Sequence, residues 1–180
     1  MKKRRRMRAL EDLLTQLASN DVDEREYALF KLGLVLDRSN PEAVDELAAH
    51  ALSREQLRLR LSSDEQIIVT DHLSRLALRS KVSRASAIWT LGKVEGAVLL
   101  GPLLALIKST GEQLSDEAAY QSCCALCKCL DILDGISPPL RASLRDANLK
   151  TILDRWRHGD DKRLKMTASK AKTMLKQLDG

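Results

Sequence analysis

Arg84-Ala85-Ser86-Ala87-Ile88-Trp89-Thr90-Leu91-Gly92 repeats a pattern that first occurs at Arg25-Glu26-Tyr27-Ala28-Leu29-Phe30-Lys31-Leu32-Gly33. Both run arginine, two spacers, alanine, aliphatic, large aromatic, polar, leucine, glycine. On a helix turning about 100° per residue, Ala28, Leu29, Leu32, Val35 and Leu36 form one apolar stripe. Tyr27, Phe30 and Leu34 form a second stripe on the opposite side. In the later copy Ala87, Ile88, Leu91 and Val94 make the first stripe, and Trp89 takes the place of Phe30. A helix apolar on two sides is expected to be sandwiched between neighbours. Two such helices with one pattern predict stacked helical hairpins.

The surrounding chain agrees with this pattern. Leu10, Leu13, Leu14 and Leu17 have amphipathic spacing and predict a helix from Arg8 to Ala18, after a basic disordered tail over residues 1–7. Asp21 or Asp23 is placed to cap the following helix, which should end near Leu36. Asn40-Pro41-Glu42 restarts the chain for a helix to Leu52, and Ser53-x-x-Gln56 has the form of a capping box. Ser63 or Asp64 opens a helix carrying Ile67, Ile68, Leu73, Leu76 and Leu78, and Ser80 or Ser83 caps the repeated stretch. Gly101-Pro102 reads as a break, Gly111 as a helix end, and Ser115-Asp116-Glu117 as the cap of a helix to Leu133. Gly135–Pro139 is a further break, and Gly159-Asp160-Asp161 precedes a last helix to Leu178.

Leu10-x-x-Leu13-Leu14-x-x-Leu17-x-x-x-Asp21-x-Asp23-x-Arg25-x-x-Ala28-x-x-x-Leu32-Gly33 resembles a HEAT repeat, and Arg84-x-x-Ala87-x-x-x-Leu91-Gly92 keeps the second half. The resemblance to the HEAT-repeat and armadillo-like family implies an all-α fold. It implies a right-handed α-α superhelix of about four helical hairpins, built as one domain over residues 8–180. From Arg25 to Arg84 is 59 positions, longer than the roughly 40 to 47 of a regular array, so one irregular inserted helix is expected. By the same resemblance Arg25 should meet Asp21 or Asp23 and bridge repeats, whereas Arg84 lacks an acidic residue just before it.

A chain of 180 residues is long enough for a sizeable core, and 3% aromatic residues point to aliphatic filling. The net charge of +5 is unevenly spread: residues 1–8 carry +6, residues 9–140 carry −7 and residues 141–180 carry +6. No run of 18 or more apolar residues exists, so no membrane span is expected. Met1-Lys2-Lys3-Arg4-Arg5-Arg6 has the charge of a signal-peptide start, but Glu11, Asp12 and Gln16 interrupt any apolar region after it. The expected location is cytoplasmic, with reduced cysteines.

Cys123, Cys124, Cys127 and Cys129 lie within seven residues, a density that raises the question of zinc. On one helix Cys129 points about 240° away from Cys123, so the four cannot share an ion, and core packing is the expected role. His50, His72 and His158 stand apart and form no His-Glu-x-x-His pattern. Gly92, Gly96 and Gly101 fit no phosphate loop. Nothing here points to catalysis or to a cofactor.

The expected function is a non-enzymatic scaffold binding another protein on the concave face of a short solenoid, with Arg25, Lys31, Arg84, Thr90 and Lys93 as partner-binding residues. The acidic body favours a basic segment of that partner, and a helix apolar on two sides also permits a homodimer. The alternative is salt-sensitive nucleic-acid binding through Lys2, Lys3, Arg4, Arg5, Arg6 and Arg8 with Arg155, Arg157, Lys162 and Arg163. The remaining C-terminal cations are expected to form the polar outer face of a terminal cap.

Overall fold

The computed structural model describes residues 2–37, 51–94, 96–131 and 137–178; the side chains of residues 2–7, 96 and 97 lie outside it. The described residues are helical with no strand. The helices are α1 Lys2–Leu17, α2 Val22–Leu36, α3 Arg54–Leu57, α4 Ser63–Arg79, α5 Arg84–Leu91, α6 Gly96–Thr110, α7 Asp116–Leu130, α8 Pro138–Leu144, α9 Ala147–His158 and α10 Lys162–Gln177. A 3₁₀ turn, Gly111–Gln113, separates α6 from α7.

Helix starts follow the capping residues. The Asp21 carboxylate accepts from the backbone N–H groups of Asp23 and Glu24. Ser53 with Gln56, and Ser62 with Glu65, close capping boxes at α3 and α4. Ser115, Asp146 and Asp161 cap α7, α9 and α10.

Two expectations need correcting. The backbone of residues 2–7, expected as a disordered tail, is the first part of α1. Lys and Arg are good helix formers, so a helix anchored by Leu10, Leu13 and Leu17 extends back through them. Gly101-Pro102 does not end a helix: α6 runs through with Pro102 inside it. Proline removes one backbone hydrogen bond there, and burial of Leu99, Leu100, Leu103, Leu104, Leu106 and Ile107 offsets that loss. The chain divides into two compact units, Met1–Val94 and Glu95–Gly180. The helix expected from Pro41 lies outside the described residues except at its end, where Ala51 and Leu52 pack with Leu34 and Val35.

In the first unit α1 packs on α2 and α4 on α5, while α2 meets α5 and α1 meets α4. In the second, α6 packs on α7 and α9 on α10, while α7 meets α10 and α6 meets α9. Each unit is thus two consecutive helix pairs packed layer to layer. Ala28, Leu32, Ala87, Ile88, Leu91 and Val94, all from the first stripes of the repeat, are fully buried.

Candidate interaction surfaces

The α2–α5 interface consumes most of the side chains expected to meet a partner. A Cβ at Gly33 would lie 2.3 Å from Cζ3 of Trp89, so glycine is what lets the indole lie against α2. Thr90, fully buried, places its hydroxyl 3.1 Å from the Leu29 carbonyl and 2.9 Å from that of Ser86, so the two acceptors share one donor. Lys93 pairs with Asp37 at 2.5 Å and lies 5.1 Å from the Trp89 ring centroid. Arg25 donates to Ser83 Oγ (2.9 Å) and to the Ser19 carbonyl (2.8 Å), not to Asp21 or Asp23, because Asp21 is engaged in capping α2.

Arg84 is buried, and its guanidinium donates to the carbonyls of Ala77 (2.7 Å) and Leu78 (3.2 Å) near the end of α4. A cation there meets the negative end of the helix, which explains why no acidic neighbour is needed. Arg25, Arg84, Thr90 and Lys93 therefore each bond within the first unit, with Arg84 and Thr90 buried and Arg25 and Lys93 half-buried. Lys31 is half-buried and stands 4.1 Å from the Tyr27 ring centroid.

The surface left open on α2 is one that the sequence assigned to the core. Tyr27 and Phe30 are 50% and 37% exposed. Asp23, one turn before Tyr27, is exposed as well. Of the second apolar stripe only Leu34 is buried.

In the second unit small side chains are buried beside the leucines of α7 and α10. Ala118, Ala119, Ser122, Cys123, Ala125, Cys127 and Cys129 are buried on α7, and Ala168 and Ala171 on α10. Burial pushes the Cys123 thiol well above its ordinary range, and raises Cys127 and Cys129 to about 11. These thiols are neutral packing groups. Among the described residues no three His, Cys, Asp or Glu side chains converge as metal ligands would.

Ion pairs absorb most of the C-terminal cations expected to meet nucleic acid. Arg155 pairs with Glu112 (3.3 Å), and Arg157 with Asp154 (3.4 Å). Arg163 pairs with Glu117 (2.8 Å) and Asp161 (3.6 Å) and covers the Tyr120 ring at 4.9 Å. Its bond to the Glu117 carboxylate raises the guanidinium further above its usual range. Lys172 bonds Asp154, and Lys108 bonds Asp146 at 2.7 Å. These lysines hold both carboxyls below the usual carboxylate range, and backbone N–H donation from Leu164 does the same for Asp161.

Lys162 alone of the four C-terminal candidates has no ionic partner among the described residues, and it is exposed with Lys165, Lys170 and Lys176. Arg8 is exposed on α1, while the side chains of Lys2, Lys3, Arg4, Arg5 and Arg6 lie outside the described residues. No helix among the described residues is long and apolar enough to cross a membrane.

No family model matches the chain, and the search found no similar curated protein and no similar solved structure.

Proposed function

We propose that the protein is a non-enzymatic cytoplasmic scaffold of HEAT-like helical hairpins that binds another protein on its second-helix layer. The observation that supports this best is the shared pairing plan. In each unit the second helices of the two pairs lie against each other, α2 with α5 and α7 with α10. That is the local packing expected of stacked repeats. Phe30 occupies the repeat position of Trp89, and Trp89 lies against the glycine notch of a neighbouring helix. The Tyr27–Phe30 face accordingly suits an amphipathic helix of a partner that offers a small residue to Phe30. Asp23 at its edge favours basic side chains on that helix.

Photo-crosslinking tests this reading. A photoreactive residue at position 30 should capture one defined protein in the native host, and Tyr27→Glu should abolish the capture. The same probe at Arg75, exposed on α4, should capture none. Equal labelling from both positions, or none from position 30, would remove the α2 face from the account.

A further inference from the structure

We infer that the outer face of α10 binds the phosphate backbone of a nucleic-acid duplex through Lys162, Lys165, Lys170 and Lys176. Helix α10, Lys162–Gln177, carries six basic residues and no acidic one. Its apolar side, Leu164, Ala168, Ala171 and Leu175, is buried within the second unit. The pairings of Arg163 with Glu117 and of Lys172 with Asp154 neutralise the flanks. What remains outward is four exposed lysines around Met166, which is 75% exposed. None of the four meets a carboxylate among the described residues. At about 100° per residue they fall within an arc of about 140°, and at 1.5 Å per residue they extend over about 21 Å of helix axis.

The chemistry of this face selects among polyanions. A duplex offers one charge per roughly 1.7 Å, or about a dozen phosphates along such a row. Lysines act there as point charges that position the duplex without reading its sequence. A single strand is normally held by stacking on aromatics, and no aromatic residue occurs in α10. Insertion into a membrane surface as an amphipathic helix would need an apolar face, and the one on α10 is buried, which leaves charge alone to hold a bilayer. A protein partner needs an anchoring apolar cluster, whereas Met166 is the sole exposed hydrophobic side chain on α10. The inference is independent of the α2 face.

The test is fluorescence anisotropy of a labelled 20-base-pair duplex of mixed sequence, titrated with the full chain at 50 and 200 mM salt. Four phosphate contacts give a salt slope near −3.6, or roughly a hundredfold loss of affinity between those salts. Combining Lys162→Gln, Lys165→Gln, Lys170→Gln and Lys176→Gln should remove that component and weaken binding at 50 mM by at least tenfold. Glutamine is nearly as good a helix former as lysine, and circular dichroism checks that the fold is kept. A charge-matched control changes the exposed Arg54, Arg58, Arg79 and Lys81 of the first unit to glutamine and should bind like the parent chain.

The inference is overturned if the α10 variant keeps its affinity and salt slope, or if the control loses as much. It also fails if the parent chain binds the isolated single strand, or vesicles containing phosphatidylserine, more tightly than the duplex.

Discussion

The two units share a pairing plan and join their second helices by different chemistry. In the first, one large side chain fits a notch: Trp89 lies over Gly33, and Thr90, Arg25 and Lys93 add bonds across the interface. In the second, α7 and α10 pack together with leucine, alanine and cysteine buried on α7 and leucine and alanine on α10, and Arg163–Glu117 ties the flank. A notch depends on one residue being absent in volume, whereas interdigitated side chains of mixed size spread the fit over many positions. The first interface should therefore be the more sensitive to a single substitution.

The largest effect is expected at the notch. Gly33→Ala puts a methyl group 2.3 Å from a ring carbon that has little freedom to move, and should destabilise the protein by about 2 kcal/mol in urea unfolding. Gly111 in the second unit is the sharpening control. A Cβ there would meet Ile152 Cγ2 at 2.9 Å, a milder overlap than that at Gly33, so Gly111→Ala should cost about 1 kcal/mol. In a Trp89→Leu background the penalty of Gly33→Ala should shrink, and a penalty unchanged by Trp89→Leu would refute the notch.

An intermediate effect is expected from the buried hydroxyls. Thr90→Val removes the bond to the Leu29 carbonyl on the neighbouring helix and should cost about 1 kcal/mol. Ser122→Ala in α7 removes only a bond to the Ala118 carbonyl in its own helix. That carbonyl stands at a helical acceptor position, so the loss should be smaller. Equal losses at the two sites would mean that the interfaces do not differ in this respect.

The smallest effect at neutral pH belongs to the carboxylates of the second unit. Asp146, Asp154 and Asp161 have folded pKa values lowered below 3.8, by Lys108, Lys172 and the Leu164 N–H respectively. A lowered folded pKa contributes stability that is fully present above about 3.8 and is lost as pH falls through the folded values. Melting temperature should thus fall as pH drops below about 4. The triple variant Asp146→Asn, Asp154→Asn and Asp161→Asn should lack that component, and asparagine preserves capping at positions 146 and 161. A parallel fall in the variant would place the acid sensitivity elsewhere.

Much of the secondary structure was legible because it rests on local chemistry. Asp21, Ser53 and Ser115 cap helices as their residue types and spacing predict. The repeated Ala-aliphatic-Leu stripe is buried in both copies. Pro102 misled because its local penalty is offset by a run of buried leucines around it. The interaction surfaces were less legible. Arg25, Arg84, Thr90 and Lys93 look like an exposed polar row only while the helices that receive their hydrogen bonds are unknown. Tyr27 and Phe30 look like core, since a hydrophobic stripe does not disclose whether a neighbour covers it.

The sequence by itself determined an all-helical chain, many of its helix starts and the repeat that organises the first unit, since each depends on residues within a few turns of one another. Only the tertiary structure decided where the C-terminal charge is available. Eleven basic residues lie between 141 and 180 with nothing in their spacing to distinguish them. Folding brings Glu112 to Arg155, Glu117 to Arg163 and Asp154 to Lys172, across 43, 46 and 18 positions of chain. Lys162, Lys165, Lys170 and Lys176 are left on one exposed helix face. Ion pairing depends on distance in space, and that distance is set by how helices remote in sequence pack.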